Sequence, residues 1–343
     1  MKYYETIVVG GGPAGSSCAW QLQRHGREVL VLDKQPFPRL KLCAGWVPAK
    51  VMDKLFFTPE DYPYSILKLN TKLYFSPFRF PLLGSWAIPW RTDYSIRRIE
   101  FDHWLLEHSQ ADFEVHCTKQ IKQQGGDYII DDLYQCKNLV GAGGTGCPVR
   151  RTFFPKQRVK TLQISTIEKE FKYPKRDQSA HLFFHFHGLR GYAWYVPKGD
   201  GFVNLGLAGS SRYFANSGSN IHTHFQWFLS SLVNYGLLDI PTSRALNPSG
   251  HGYYLFTHQG EIKKDNCFLI GDSAGLASLD LGEGIGPAVE SGLLAANEII
   301  GEGEYGKEAV SQFSLNPAFH WLQNLWSYHP SLNTTSHLHT TSQ

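Results

Sequence analysis

The sequence predicts an α/β protein in which a parallel-sheet domain is interrupted by an α+β domain with an antiparallel sheet. Two short apolar runs near the start, residues 6–9 and 29–32, have the continuous hydrophobicity of buried parallel strands. A third such run, residues 267–270, lies far along the chain. Between them, residues 67–81 and 162–210 are rich in Phe, Tyr, Val and Thr with partial alternation, which is typical of antiparallel strands.

A glycine-rich turn follows the first apolar run directly, with the spacing G-x-G-x-x-G. The first glycine permits a tight turn, the second lets a pyrophosphate approach the backbone, and the third lets the next helix pack close to the strand. The pattern therefore predicts a dinucleotide-binding turn. Its candidate contact residues are Gly10, Gly12, Pro13, Ala14 and Gly15.

A helix and a second strand complete this unit. We predict a helix over residues 16–24 that ends at Gly26, with its N-terminal N–H groups facing the phosphates. The second strand ends at Asp33, about 20 positions after the first glycine, where an acidic residue accepts hydrogen bonds from a ribose. Lys34 is a further candidate contact. Both NAD and FAD use such a unit, so it does not choose between them.

Five further segments carry motifs. Residues 38–45 read P-R-L-K-L-C-A-G, and the segment R-I-E-F-D begins at Arg98. Residues 191–197 read G-Y-A-W-Y-V-P. Gly271-Asp272 follows the third apolar run, and Gly284-Ile285-Gly286 comes soon after it, ahead of a helix that we predict over residues 288–300.

Taken with the glycine turn, these segments resemble the flavoprotein monooxygenase-like superfamily with the p-hydroxybenzoate hydroxylase fold, and within it the geranylgeranyl reductase family. The motifs P-R-x-K-x-C-[AG]-G and Y-x-W-x-F-P are similar to those of the reductases, with Val196 in place of the phenylalanine. The resemblance implies a Rossmann-like FAD-binding domain with an inserted antiparallel-sheet α+β substrate domain.

The resemblance also implies a set of cofactor contacts. The Asp272 side chain would contact the ribityl or pyrophosphate part of FAD, and the backbone of residues 284–286 would reach the flavin. Arg39 and Arg98 are candidates for the phosphates or ribose, with solvated surface charge as the alternative. The implied contacts outside the first βαβ unit are Arg39, Cys43, Ala44, Arg98, Gly271, Asp272, Gly284, Ile285 and Gly286.

Three residues are candidate catalytic residues by the same resemblance: Cys43, Tyr192 and Trp194. In a strand, Tyr192 and Trp194 point to one face and Tyr195 to the other. The first two would form a wall of a substrate pocket over the flavin. The alternatives are a sheet packed on its own core and, for Cys43, a small buried residue.

The resemblance implies an FAD-dependent reductase that transfers a hydride from flavin N5 to a carbon–carbon double bond of an apolar, isoprenoid-like substrate. NAD(P)H or another donor would supply the electrons, although Gly143 stands where the superfamily has an aspartate. A flavin-dependent monooxygenase or halogenase is an alternative, because residues 191–197 are close to the halogenase motif G-W-x-W-x-I-P. A non-catalytic flavin- or ligand-binding protein is the other alternative.

Composition limits the remaining classes. The 33 Lys and Arg residues nearly balance 30 Asp and Glu, which gives no electrostatic case for nucleic acid. No apolar run approaches the ~20 residues that span a bilayer. We expect a cytoplasmic protein, with transient contact with a membrane surface left open. The six cysteines are scattered, and the 14% aromatic content indicates a large aromatic interior.

The order of these segments predicts the domain organisation. The FAD-binding domain would comprise residues 1–50, 97–155 and 261–305, and the substrate domain residues 51–96 and 156–260. Residues 306–343 would form a C-terminal segment ending in a disordered tail over 330–343.

Alternation would place His181, His185 and His187 on one strand face, but no acids nearby complete a metal site, so we expect no metal.

Overall fold

The structure is a computed structural model, and it describes residues 1–75, 92–155, 162–174 and 177–314. The strand expected over 76–81 and the tail over 330–343 lie outside these residues. The strands within them are β1 (Lys2–Val9), β2 (Val29–Asp33), β3 (Trp46–Pro48), β4 (Leu67–Lys68), β5 (Asn70–Phe75), β6 (Asp93–Ser95), β7 (Asp112–Val115), β8 (Ile121–Gln124), β9 (Asp127–Ile130), β10 (Tyr134–Gly141), β11 (Gln163–Lys172), β12 (Ser179–Phe184), β13 (Gly191–Pro197), β14 (Phe202–Ser210), β15 (Ser249–Tyr254), β16 (Lys263–Lys264) and β17 (Cys267–Leu269). The α-helices are α1 (Pro13–Arg24), α2 (Ala49–Lys54), α3 (Arg98–His108), α4 (Pro148–Phe153), α5 (Ser211–Ser217), α6 (Ile221–Asn234), α7 (Ile240–Ala245) and α8 (Ile285–Ile300).

The predicted parallel strands form the centre of an eight-stranded sheet. Its main order is β16-β17-β10-β1-β2-β7, with β9 and β8 continuing from β10 as an antiparallel hairpin. β1 pairs in parallel with both β10 and β2, and β17 pairs in parallel with β10. The apolar runs at 6–9, 29–32 and 267–269 are buried, as the prediction requires. The carboxyl ends of these strands meet at one edge, where open α/β sheets bind ligands.

Helices α1 and α8 pack together against this sheet. Both begin three residues before the predicted start, because an ordinary glycine conformation ends the preceding turn earlier. Gly12 has an extended backbone (φ −77°, ψ −177°) and precedes Pro13, which needs no N–H partner at the first helical position. Gly284, which precedes α8, instead has a nearly helical backbone (φ −110°, ψ −26°). The predicted C-terminal glycine of α1, Gly26, has the left-handed φ of +66° that such a position favours.

The second large sheet has six strands in the order β15-β11-β14-β13-β12-β5. All its pairings are antiparallel except the last, in which β5 runs parallel to β12. The expectation of antiparallel strands within residues 67–81 is therefore wrong for β5, whereas β4 pairs antiparallel with β6. Only a short hairpin forces two strands to be antiparallel, and the long chain between β5 and β12 allows either direction. β4, in the same segment, joins β6 and β3 in a separate three-stranded sheet.

Both faces of the six-stranded sheet are buried. Tyr195 and Phe183 lie on the face that packs against Phe225 and Phe228 of α6. Trp194 belongs to a separate apolar cluster on the opposite face, together with the partly buried Tyr192. The prediction that Tyr192 and Trp194 share a face while Tyr195 takes the other is confirmed.

The expectation of three histidines on one strand face was wrong. β12 ends at Phe184, and His185 and His187 adopt left-handed backbone conformations with φ of +51° and +48°. His181 stays in the sheet, where its ring nitrogens lie 3.0 Å from the Tyr74 hydroxyl and 3.1 Å from Asp177 Oδ2. In the described ranges, no group of three or more His, Cys, Asp or Glu residues is arranged to hold a metal ion.

The helices in the described part of the chain include none that is long and apolar enough to cross a membrane.

Side chains of α2 and α3 share a core with Ile285 and Val289 of α8. The exact division of the chain into two domains stays a prediction.

The contact between α1 and α8 gives a test of the packing. A Cβ atom at Gly292 would lie 2.3 Å from the carbonyl oxygen of Ala14, which is backbone and cannot move aside. We expect Gly292→Ala to lower the free energy of unfolding by about 2 kcal/mol or more, because overpacking a helix contact displaces both backbones. Urea unfolding measures this change. The matched control is Gly303→Ala, at a glycine with open space around it, and an equal loss in both variants would contradict the expectation.

Candidate functional site

A cavity of about 750 Å³ lies between the carboxyl edge of the mainly parallel sheet and one face of the six-stranded sheet. It brings together residues from both ends of the chain and from its middle. The predicted site residues that line it are Gly10, Gly12, Pro13, Ala14, Asp33, Lys34, Arg39, Cys43, Ala44, Arg98, Tyr192, Trp194, Asp272, Gly284 and Ile285.

Three predicted glycines do not line the cavity but shape its edge. A Cβ atom at Gly15 would lie 1.9 Å from the Gly10 carbonyl oxygen. Gly271 has a left-handed φ of +55° and donates its N–H to the Ser291 hydroxyl at 2.9 Å. A Cβ atom at Gly286 would lie 2.8 Å from a carboxylate oxygen of Glu283. Gly15 and Gly271 therefore permit close backbone packing, as predicted for Gly15, whereas the neighbour of Gly286 is the end of a flexible side chain. The cofactor contacts of all three glycines stay predictions.

The glycine turn leaves one side open to the cavity. Gly10 has φ of +118°, and a Cβ atom there would lie 2.4 Å from the Ala142 carbonyl oxygen. At Gly12, by contrast, a Cβ atom would meet only Arg39 Nη2, at 3.6 Å. Gly12 therefore presents bare backbone to the cavity immediately before α1. This cradle fits the pyrophosphate of a dinucleotide, since a helix N-terminus and accessible backbone favour phosphate.

Asp33 and Arg39 close the end of this cradle. Asp33 Oδ2 accepts a hydrogen bond from the Gly11 N–H at 2.9 Å and lies 3.3 Å from Arg39 Nη2. The Arg39 guanidinium also stacks over the ring of Phe37, 4.5 Å from its centroid. The buried Nε of Arg39 has no hydrogen-bond partner among the described residues. An orphaned cationic donor next to the glycine turn suits an anionic ligand.

Arg98 lines the cavity, but its guanidinium is already paired with the carboxylate of Asp102. Its Nε and Nη2 donate to the two carboxylate oxygens of Asp102 at 2.6 and 2.7 Å, one turn later in α3, and both side chains are buried. A bidentate pair of this kind holds the guanidinium in place. The surface alternative is therefore wrong for Arg98, because this buried pair ties α3 to the cavity wall, and its phosphate or ribose contact stays a prediction.

The wall on the six-stranded sheet is held by a chain of hydrogen bonds. Trp194 Nε1 donates to Asn204 Oδ1 at 2.7 Å, and Asn204 Nδ2 donates to the carbonyl oxygen of Cys43 at 3.2 Å. The Tyr192 hydroxyl donates to the Leu281 carbonyl oxygen at 2.6 Å. Both aromatic rings are therefore fixed in orientation, and Trp194 is linked to the backbone of Cys43 through one asparagine side chain.

The cavity also contains polar side chains that the sequence did not indicate, among them Glu168 and His251. Burial raises the pKa of Glu168 to about 7, against the charge of Lys198 and a hydrogen bond from Asn204. Burial and the charges of Lys41 and Arg98 lower the pKa of His251 to about 3, so its ring is neutral. Its Nδ1 has no hydrogen-bond partner among the described residues.

The sequence gives little indication that Glu168 and His251 line the cavity. Glu168 lies between Ile167 and Lys169 in β11, and strand alternation then assigns it to a polar, solvent-facing side. His251 lies in a weakly apolar strand between two glycines. Only the second buried face of the sheet places both side chains in the cavity.

The raised pKa of Glu168 has a measurable effect on stability. The folded protein holds the Glu168 proton more tightly than the unfolded chain, whose carboxyl has the ordinary pKa of 4.5. Protonation of Glu168 therefore stabilises the folded protein. This contribution to the free energy of unfolding is full below pH 4.5 and is lost as the pH rises through about 7. We expect wild type to lose up to roughly 3 kcal/mol relative to Glu168→Gln across this range. Denaturant unfolding at several pH values measures the difference, and the effect of His251 cancels in it.

The exposed Glu60 supplies the control. Glu60→Gln should follow wild type at every pH. Parallel curves for wild type and Glu168→Gln would show that Glu168 is not perturbed.

Comparison with known proteins agrees with the geometry. Residues 8–63 match the NAD(P)-binding Rossmann-like domain family. An uncharacterised protein of Methanosarcina barkeri is 30% identical over 327 residues, which cover 91% of this chain and 79% of the relative. Digeranylgeranylglycerophospholipid reductase 3 of Methanosphaera stadtmanae is 24% identical over 341 residues, covering 92% of this chain and 82% of that protein.

A solved structure shares the fold. The geranylgeranyl bacteriochlorophyll reductase-like protein of Thermoplasma acidophilum superposes with a TM-score of 0.71 at 18% identity, covering 94% of this chain and 83% of that one. The relatives, the matched domain and the site geometry agree with one another, and they set aside the non-catalytic alternative. This chain therefore belongs to the geranylgeranyl reductase family of FAD-dependent oxidoreductases.

Proposed function

We propose that this protein uses FAD to reduce a carbon–carbon double bond of an apolar, isoprenoid-like substrate. The observation that carries the proposal is the continuity of the cavity: a bare glycine turn at one end and a rigid aromatic wall at the other line the same space. The first suits a dinucleotide, and the second suits an apolar molecule, because aromatic side chains remove much area from water at little conformational cost.

The residues that would hold FAD are those on the sheet edge. Gly12 and the start of α1 would receive the pyrophosphate, and Arg39, with its free Nε, would neutralise it. Asp33 would accept from a ribose while it orients Gly11 and Arg39. Asp272 and the backbone at 284–285 line the cavity opposite the turn and would contact the remainder of the cofactor. When bound, FAD supplies a hydride from flavin N5.

The residues that would hold the substrate lie on the six-stranded sheet. Tyr192 and Trp194 form the aromatic part of the wall, and the apolar side chains of Leu182 and Val196 lie beside them on the cavity. A fixed wall of this kind excludes water and orients the double bond, which converts the reaction into an effectively intramolecular one. Cys43 would lie at the junction between the two binding regions, tied to Trp194 through Asn204.

The electron donor and the cellular setting are part of the same proposal. NAD(P)H or another donor would reduce the cofactor, and Gly143 lines the cavity at the position where the superfamily has an acid. The protein would act in the cytoplasm and draw its apolar substrate from a membrane surface by transient contact.

Gly12 gives a test of cofactor binding that is separate from folding. Gly12→Val would direct its side chain into the cavity, where only the end of Arg39 lies nearby, so we expect unchanged stability. FAD affinity should fall at least tenfold, because the side chain occupies the path of the pyrophosphate. Titration of apoprotein with FAD, followed by flavin fluorescence, measures the affinity. Equal affinity in Gly12→Val and wild type would place the cofactor elsewhere.

Trp194 gives a test of the substrate wall. Trp194→Phe leaves the buried Asn204 Oδ1 without its donor, and we expect a loss of roughly tenfold or more in kcat/KM for a polyprenyl alkene. The control is Trp227→Phe, on the exposed surface of α6, which should match wild type. Loss of activity in both variants would indicate a general defect and contradict the assignment.

The proposal as a whole is tested by anaerobic mixing. Photoreduced protein is mixed with geranylgeranyl diphosphate, and flavin reoxidation is followed by absorbance while mass spectrometry detects the saturated product. Reoxidation with product is expected. No reoxidation by this or other polyprenyl alkenes, together with an oxygen-dependent hydroxylated or halogenated product, would favour the monooxygenase or halogenase alternative instead.

A further inference from the structure

Glu168 is a buried carboxyl group on the cavity wall that the function described so far does not use. It is 2% exposed and lies in β11, paired with Gly206 of β14 on one side and Ser249 of β15 on the other. Carboxylates are rarely buried without a cation beside them. Its position therefore calls for a functional explanation.

Gly206 brings Glu168 next to the aromatic wall. A Cβ atom at Gly206 would lie 2.3 Å from Cζ2 of Trp194 and 2.8 Å from Cβ of Glu168. Because glycine has no side chain, the indole ring lies across the β14 backbone and approaches the acid. Glu168 thus shares the face and the cavity with the residues proposed to hold the substrate.

The contacts of Glu168 orient its carboxyl group without neutralising it. Asn204 Nδ2 lies 3.5 Å from Oε1, and the backbone of Cys43 donates a hydrogen bond to the carboxyl. Lys198 is fully buried, but its Nζ is bound to Glu170 Oε2 at 3.1 Å and to the Ile96 carbonyl oxygen at 2.6 Å. In the described part of the chain, no cation lies within ion-pair distance of Glu168. Burial outweighs the more distant charges of Lys198 and Lys41 and favours the protonated form of Glu168.

We propose that Glu168 is the proton donor of the double-bond reduction. This inference rests on the proposed function. The O–H bond of the Glu168 carboxylic acid breaks and a C–H bond forms at one carbon of the double bond. The other carbon receives a hydride from the reduced flavin, which is oxidised in the same event. The π bond is lost, and the Glu168 carboxylate regains a proton from water.

The surroundings of Glu168 suit this role. Burial raises its pKa to about 7, and a donor is most effective when its pKa lies near the working pH. Neighbouring titratable and charged groups also affect the pKa of a proton donor. The titratable and charged groups that face it are Lys41 and Cys43 from the loop after β2, Arg98 from α3, Glu170 on the same strand, Tyr192 and Lys198 from β13 and its end, and His251 and Tyr253 from β15.

The first experiment separates proton donation from binding. Photoreduced wild type, Glu168→Gln and Glu168→Asp are mixed anaerobically with geranylgeranyl diphosphate, and saturated product is quantified in single turnovers. We expect Glu168→Gln to form product at least 100-fold more slowly, since general acids contribute on the order of 10²–10⁴-fold. Glu168→Asp keeps an acid and should recover part of the rate. FAD affinity and photoreduction should be unchanged in both, and Glu60→Gln should match wild type throughout.

The second experiment does not depend on activity. Infrared difference spectra between wild type and Glu168→Gln, taken from pH 5 to pH 8 without substrate, isolate the Glu168 carboxyl. We expect a protonated carboxyl band in wild type that disappears with a midpoint near neutral pH. A band already lost below pH 5 would show an ordinary carboxylate and overturn the inference.

The outcomes distinguish the inference from the function on which it rests. If wild type forms product and Glu168→Gln matches it within threefold, the inference is wrong and the proposed function stands. If wild type forms no product with polyprenyl alkenes, the proposed function fails and the inference fails with it. A large loss in Glu168→Gln, partial recovery in Glu168→Asp and the infrared titration together support it.

Discussion

The structure depends on the close backbone packing of the turn at residues 10–15. Three close backbone contacts hold this turn in place. The Ala142 carbonyl oxygen lies against Gly10, the Gly10 carbonyl oxygen lies against Gly15, and the Ala14 carbonyl oxygen lies against Gly292 of α8. Each approach is too short for a Cβ atom, so the packing exists only because glycine occupies these positions. It draws β1, β10 and α8 to one point and leaves the remaining side of the turn facing the cavity. The binding region and the core of the mainly parallel sheet therefore follow from the same set of contacts.

The six-stranded sheet contributes in a different way, because both of its faces are buried. One face packs on α6 through Tyr195, Phe183 and their neighbours, and the other turns Trp194 and Tyr192 towards the cavity. Other aromatic side chains lie in a cluster around Phe101 and in the core of the mainly parallel sheet, which contains Tyr128, Phe256 and Tyr305. The cavity face combines aromatic rings with the buried acid Glu168. That combination is suited to a reaction in which an apolar substrate must receive a proton away from bulk water.

Charge around the cavity is distributed unevenly among its cations and acids. Arg98 is committed to Asp102, and Lys198 to Glu170, so these pairs hold the wall in place. Arg39 keeps an unpaired Nε, and Glu168 keeps a carboxyl without a cation. Arg39 is still paired with Asp33 through Nη2, so its uncommitted part is Nε alone. Arg39 Nε and the Glu168 carboxyl lie in the two regions proposed for the cofactor and for the substrate. Burial of the committed pairs lowers the local dielectric, which strengthens the interactions that the uncommitted groups make with a ligand.

The sequence by itself determined the features that depend only on residues close together along the chain. The glycine turn, the buried strands, the ends of the helices and the opposite faces of Trp194 and Tyr195 all follow from spacing and turn chemistry, and the structure agrees within a few residues. The tertiary structure decided the parallel pairing of β5, the commitment of Arg98 and the position of Glu168. Alternation shows that Glu168 lies opposite Ile167, but it does not show whether the polar face meets water or a second domain. That depends on residues distant in sequence, which only the folded chain brings together.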